Sequence, residues 1–405
     1  MSGGYLEVVR TAGALRVFVP ALVGRLSFAM VTLVLLFAVQ QSTDSFAVAG
    51  AATGAFGLAN VIASPYRARF VDRRGQRFAL NSLAIAFAAG LSGIAVLTAQ
   101  SEPPVGVLVG LAAVVGLFPP PLGASMRVLW GSITEPGALR TKAYSVDAVC
   151  EELLFTTGPL IAAAVVGAAS PSVGLFATAL VALVGTLGMT SSPLSRGHGA
   201  VTTSPRNSSR PLRQSGFVAV LIALLGVGVT LGTVEVVAPA VADSQGSVGL
   251  AGILLAAFAA GSAVGGLLYG QRTWRSSLVK RLLISSTLMT VLCALLATLG
   301  SVVVLGFGLI AVGFFLAPSL VTGYLLADDI TAVEVRTEAS SWINTAVNAG
   351  AAVAAVIVGF TVDAGDPRLG FLVGAGMALT LVLAASVPLL RSTTPVPVKD
   401  QLRSA

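Results

Sequence analysis

Apolar residues run in blocks of about 20, each long enough for a helix across a hydrocarbon core of roughly 30 Å, and polar residues gather in the gaps between blocks. Read by this pattern, the chain is expected to form spans at roughly 16–40, 45–67, 78–99, 105–127, 143–168, 173–192, 215–240, 248–270, 282–299, 301–326, 338–361 and 369–390. All connections are short except one. The segment "SSPLSRGHGAVTTSPRNSSRPLRQS" (Ser191–Ser215) lies between spans six and seven and has the composition of a solvated linker. The expected organisation is a first bundle over 1–192, a linker over 193–214, a second bundle over 215–390 and a tail over 391–405. The fold class is therefore all-α and membrane-embedded.

Composition agrees. Hydrophobic residues make up 55% of the 405 and charged residues 10%, against about 25% charged in an average soluble chain. The charge that remains is placed asymmetrically. With the N-terminus inside, the inner loops and tails hold Arg10, five arginines in Arg67–Arg77, Arg140, Lys142, Arg196, Arg206, Arg210, Arg213, Arg272, Arg275, Lys280, Arg281, Arg336, Arg391, Lys399 and Arg403. The outer loops hold Arg368 among Asp44, Glu102, Asp243, Asp363 and Asp366. Basic residues stay on the cytoplasmic side of short loops, so both ends are expected inside. The net charge of +7 is then a topology signal, and no nucleic-acid partner is expected.

"MSGGYLEVVRTAG" lacks an apolar core with a cleavage site, so no cleaved signal peptide is expected. His198 is the only histidine and falls in the linker, which argues against a histidine-ligated metal or a histidine proton relay. Cys150 and Cys293 both fall in apolar spans. No Gly-rich nucleotide loop with Lys and no nucleophile–His pair is present, so neither an ATP-driven pump nor an enzyme is expected, and no cofactor or metal.

Polar residues inside spans carry the candidate chemistry. "DAVCEELLFTTGPL" (Asp147–Leu160) sets Asp147, Glu151 and Glu152 into span five. A central acid costs about 2.5–3.5 kcal/mol on insertion scales, so these residues should face a cavity or a partner. Asp147 and Glu151, four apart, share a helix face. Adjacent carboxylates cannot both be cheaply charged in low dielectric, and one is expected to hold a proton near neutrality. Three readings stand open: proton coupling, permanent ion pairs with Arg25 of span one or Arg127 of span four, or mere closeness to the inner interface. Glu235 in span seven is a second candidate, placed nearer the outer end, where snorkelling to the periphery is expected.

Backbone features add to this. Gly158-Pro159 permits a kink in span five and close approach by another helix, and span eight offers Ala257, Gly261 and Gly265 at small-xxx-small spacing. Pro119–Pro121 cannot continue a helix in span four, so that span should border the central pathway. "GPLIAAAVVG" (Gly158–Gly167) lines up with "GAAVAAVIVG" (Gly350–Gly359), which matches Glu152 to Asn344 and suggests two related halves. Arg25, Glu235, Asn344 and Asn348 are the candidate cavity residues.

The loop after span two reads "ARFVDRRGQR" (Ala68–Arg77). As a bare turn, its Asp caps or pairs, its Gly turns and its arginines hold the loop inside. It also resembles the loop signature of the major facilitator superfamily, Gly-x-Leu-x-Asp-Arg-x-Gly-x-Arg, through Asp72, Arg73, Gly75 and Arg77, with Phe70 for Leu and Ala68 for the first Gly. The resemblance implies twelve spans in two pseudo-symmetric six-helix bundles, and charged contacts by Asp72 and Arg73 that stabilise the outward-facing state. The second-half copy, "GGLLYGQRTWRSSLVKR" (Gly265–Arg281), has Tyr269 in place of the Asp. Gly158-Pro159 resembles the span-five motif of that family's exporters, with Ala162 and Ala163 for its final glycines. Arg127 and Gly131 echo a span-four motif linked to proton transfer, although Arg127 is expected near the inner end.

These features imply a secondary transporter, in first place a proton-antiporting exporter of small amphipathic or drug-like compounds. A sugar or metabolite carrier of the same fold is the alternative, and a non-transporting sensor the third. Expected partners are a small molecule, protons and lipid, with the chain a monomer in a bacterial inner membrane.

Overall fold

A computed structural model describes residues 5–100, 104–197, 210–214, 216–245, 248–364 and 368–392. His198, most of the linker, Glu102, Asp366 and the tail from 393 lie outside the described residues. Lipid offers the backbone no hydrogen bonds, so apolar blocks must satisfy their own, and each does so as a helix. Span one is Ala14–Thr43, span two Phe46–Arg74, span three Gln76–Thr98, span five Ala138–Ala168 and span six Pro171–Ser191. In the second half, span seven is Phe217–Ser244, span eight Val248–Gln271, span nine Leu278–Leu296, span eleven Arg336–Ala364 and span twelve Leu369–Ser392.

Spans four and ten are broken. Span four consists of Val105–Gly116 and Leu122–Ile133, interrupted at the three prolines, and span ten of Val302–Gly313 and Leu316–Ile330. The two short pieces of span four are the reason that, among the described residues, eleven helices, not twelve, are long and apolar enough to cross a membrane. Some bounds differ from the sequence reading because polar residues extend the helices. Span five begins at Ala138 rather than 143, and span ten runs to Ile330 rather than 326.

Starts and turns follow local chemistry. The Ser45, Ser170 and Ser277 side chains accept from the amides of Val48, Val173 and Lys280, which caps spans two, six and nine. Between spans two and three, Gly75 has φ 80° and its N–H donates to Val71 O. A side chain is strained there, which explains a glycine at this turn.

The halves repeat one plan. Span one packs on spans five and six as span seven packs on eleven and twelve. Span two packs on span four as span eight packs on ten, and span three on six as nine on twelve. Small residues allow these contacts. A Cβ on Gly158 would lie 2.4 Å from Ala29 Cβ of span one, and a Cβ on Gly350 would lie 2.2 Å from Leu225 O of span seven. The aligned glycines thus do corresponding jobs, each against the first span of its half.

That corrects one expectation. Gly158 faces span one rather than span eight, and a Cβ on Gly261 or Gly265 would meet Ile310 or Phe314 of span ten. Spans five and eight do touch, through Gly266 and Gly270 against Val149 and Ser145. At Gly265 the distance to Phe314 O would be 1.8 Å. Gly265→Ala is therefore expected to lower stability by about 3 kcal/mol, at the upper end of overpacking costs. Thermal unfolding in detergent, with Gly252→Ala (nothing within 4 Å) as control, checks this.

Contacts between the halves gather at the end that carries the arginine-rich loops, here called the basic end: span five on eight, and span two on eleven. One apolar cluster runs from the basic end of the first half (Phe18, Trp130, Tyr144) into the second half. The far end of the first half has its own cluster, including Met30, Leu35, Phe87, Leu91 and Leu175. The bundles are thus joined at the basic end and apart at the other.

Candidate functional site

Between the halves lies a cavity of about 200 Å³, walled by Pro119–Pro121, the second piece of span four and spans one, two, three, five, seven, ten and eleven. Helix Ala138–Ala168 carries Glu151 about 20 Å from its basic end at 1.5 Å per residue, so Glu151 and Glu152 lie near the middle of the helix. Asp147, buried, sits between two arginines: Arg25 Nη2 is 2.9 Å from its Oδ1 and Arg127 Nε is 3.3 Å from its Oδ2. Arg127 also pairs with Glu151 through Nη2, and its guanidinium lies 3.7 Å from the centre of the Tyr324 ring. The Tyr324 hydroxyl donates to Asn344 Oδ1, which extends the network into span eleven.

Glu152 differs. It lines the same cavity, yet its side chain has neither an ion pair nor a hydrogen bond among the described residues. The charged groups that act on it are Glu151 and Glu235, both acids. Adjacent positions on one helix therefore carry two electrostatic situations: one face of span five is matched by arginines and the next is not.

Arg67 of span two lines the cavity as Arg25 does, whereas Arg127 is buried behind it. Arg67 Nη1 donates to Gly116 O at 3.0 Å, the carbonyl end of the first piece of span four, and its Nη2 to Asn60 Oδ1 at 2.7 Å. A cation at a helix C-terminus offsets carbonyls that the break leaves open.

The basic end is closed by three polar latches between the halves. Arg69 Nη2 lies 2.6 Å from Glu338 Oε1, and Asp72 Oδ2 accepts from the Glu338 amide at 3.2 Å. Asp72 thus caps the N-terminus of span eleven, where a helix favours negative charge. Second, the Tyr144 hydroxyl donates to Asp328, and Arg336 Nε stands 3.8 Å from Asp328 Oδ1. Arg140 holds the end of span four beside it through Gly131 O and Thr134 O. Third, the Tyr5 hydroxyl, on the short helix Tyr5–Arg10 before span one, donates to Leu267 O. Burial pushes the Tyr5 phenol up to about 12, which keeps this donor protonated at neutral pH.

Glu338→Ala removes both the Arg69 pair and the Trp342 Nε1 bond at 3.3 Å. Loss of such charge-assisted bonds costs roughly 1.5–3 kcal/mol of the closed state. A cysteine at cavity position Phe155 is therefore expected to label about tenfold more slowly with a maleimide applied from the far side. Unchanged labelling would deny the latch its weight.

A sequence profile described as Major Facilitator Superfamily matches residues 216–404, a little under half of the chain. The fold is similar over nearly the whole length to the human organic anion transporter MFSD10 (TETRAN), with TM-score 0.71 and 14% identity, covering 95% of this chain and 100% of that one. It is also similar to a bacterial homologue of the iron transporter ferroportin in the outward-facing state (TM-score 0.69, 16% identity, 93% and 98% covered). The chain has the major facilitator fold. A third similar structure, the E. coli fucose:proton symporter FucP, gives TM-score 0.64 at 16% identity, with 92% and 99% covered. None of the proteins of curated function matches the sequence.

Within this major facilitator frame, Arg25, Glu151, Glu152, Asn344 and Asn348 meet at one cavity, and Asp147 lies directly behind it. Glu152 and Asn344, matched by the internal repeat, face the same space from opposite halves. Glu235 is exposed on span seven within coulombic reach of Glu152 and is not part of the cavity wall. Arg127 is buried in the interior rather than near the inner end, because the second piece of span four runs on to Ile133. Of the loop signature, Asp72 bridges the halves and Gly75 makes the turn, while Arg73 and Arg77 are exposed with no bond across the halves among the described residues. Arg69 makes that bond instead. Tyr269 anchors within its own half, its hydroxyl 2.8 Å from Thr322 Oγ1 and accepting from Arg281 at 3.0 Å.

The sequence reading missed Arg67, Asn60, Tyr324 and the Arg69–Glu338 and Tyr144–Asp328 latches. Arg67 was counted with the loop, and Asp328 and Glu338 stood at span ends, so neither broke an apolar run. The cavity wall is also more polar than the composition of its spans suggests, with Asn60, Ser64, Ser341, Asn344 and Asn348 in it.

Proposed function

We propose that the protein is a proton-coupled secondary transporter of small amphipathic molecules that works by alternating access, with Glu152 as the proton carrier. The observation that carries this reading is the contrast within span five: Asp147 and Glu151 are held by Arg25 and Arg127, and the neighbouring Glu152 faces the cavity unmatched. A carboxylate at membrane depth with no counter-ion is costly when charged, so gain and loss of a proton there are tied to what occupies the cavity.

The basic end takes the cytoplasmic side on the positive-inside rule, which puts both termini inside and makes the closed latches those of an outward-facing state. A bacterial inner membrane and a monomeric carrier fit the length and the paired halves. Gly158-Pro159 in span five supports export, the direction its motif implies. A polar metabolite or sugar is the second reading, favoured by the asparagines and serines of the wall and by Tyr324, whose ring already carries Arg127.

Purified protein in liposomes under an imposed pH gradient tests the proposal. A panel of lipophilic cations, neutral drugs, organic acids and sugars is offered, and internal pH is followed as each is added. At least one compound is expected to move protons, and the sign of the movement shows whether it displaces the proton or accompanies it. Binding without any proton movement would leave a uniporter or a sensor.

A further inference from the structure

The break in span four leaves a donor-rich end inside the cavity. Its second piece, Leu122–Ile133, starts after Pro121 with no side-chain cap, and the amides of Gly123 and Ala124 find no acceptor among the described residues. Such an end favours anions. Two buried guanidiniums converge on the same spot. A Cβ built on Gly123 would lie 3.6 Å from both Arg25 Nε and Arg127 Nη1, with Glu151 Oε1 at 3.4 Å. Both of those arginine nitrogens, and Arg25 Nη1, lack a hydrogen-bond partner among the described residues. Arg25 is 8% exposed and Arg127 2%. Donors left open at such depth are uncommon in folded proteins and call for an explanation.

The charges around this space do not cancel once Glu152 holds a proton. Arg25 is matched by Asp147 and Arg127 by Glu151. Among the described residues Arg67, in the cavity wall with Arg25, bonds only neutral acceptors, Gly116 O and Asn60, and its Nε has no partner. Glu152 is the acid left over, with Glu151 and Glu235 as its charged neighbours. Counted over the cavity wall and the groups ion-paired there, which leaves out the exposed Glu235, protonated Glu152 leaves the charge of Arg67 uncompensated, and a monoanion restores neutrality.

We infer that the space in front of Gly123 binds the carboxylate of a small organic acid, held by Arg25, Arg127 and the open amides of span four, with Arg67 balancing its charge. The anion and the proton on Glu152 then occupy the cavity together. The carboxylate site stands on the geometry alone; the joint occupancy rests on the proton-coupled reading above.

The probe is benzoate, with benzamide and benzylamine as neutral and cationic counterparts, titrated calorimetrically into the full-length protein in detergent. Benzoate is expected to bind, and the other two about tenfold more weakly or worse. Gly123→Ala puts a methyl group into the cradle at ordinary contact distances, so its melting temperature should stay near wild type. It is expected to weaken benzoate by about tenfold or more. Arg67→Gln should weaken benzoate as well and leave benzamide unchanged. No benzoate binding at millimolar concentration, equal binding of benzamide, or no effect of Gly123→Ala at unchanged stability would overturn the inference. Benzoate binding with this pattern but no proton movement in liposomes would keep the site and sink the coupling; proton movement driven only by cations or neutral compounds would do the reverse.

Discussion

Glu152→Gln is expected to bind and exchange substrate yet lose all accumulation driven by a pH gradient, down to the level of protein-free liposomes. The glutamine keeps the shape and the polarity of the side chain but cannot gain or lose a proton. Because Glu152 holds no arginine in place, nothing else in the site should move. Glu151→Gln should behave differently. It withdraws a partner from Arg127, which is buried and also holds Asp147 and the Tyr324 ring, so exchange and accumulation should fall together. Parallel measurement of equal-pH exchange and pH-driven uptake separates the two patterns. Full pH-driven uptake by Glu152→Gln would end its assignment as the carrier.

The largest effect on stability is expected at Arg127. Arg127→Met leaves Glu151 without a cation and Asp147 with Arg25 alone, both inside the bundle. Breaking a buried pair from one side costs about 3–5 kcal/mol, because a charge is left without its partner, here fully buried at Asp147 and partly so at Glu151. The apparent melting temperature in detergent should therefore drop sharply. Adding Glu151→Gln to Arg127→Met removes the stranded charge and should recover much of the loss, since neutral replacements of buried pairs are often tolerated. No recovery in the double variant would mean that Arg127 acts through packing on Tyr324, where its guanidinium lies 3.7 Å from the ring centre. Deletion of Tyr324 alone would then be the costly change.

Much of this architecture was legible along the chain, and for a simple reason. A bilayer imposes one rule on every segment, that about 20 apolar residues form a self-satisfied helix, so spans appear locally and need no knowledge of their neighbours. Basic loops, the Pro119–Pro121 break and the Gly158/Gly350 register are likewise local signals. The acids of span five stood out because charge in an apolar run is rare. What each acid does was not legible, because Asp147, Glu151 and Glu152 differ only in what faces them. Arg25 comes from 122 residues earlier in the chain than Asp147, and Glu338 meets Arg69 across 269. Such pairings have no trace in spacing. Only the packed halves decided that two acids are matched and a third is not, that Arg69 rather than Arg73 reaches span eleven, and that the open end of span four looks into the cavity between Arg25 and Arg127. Hydrophobic length is a property of a segment, whereas electrostatic balance belongs to a place where several segments meet.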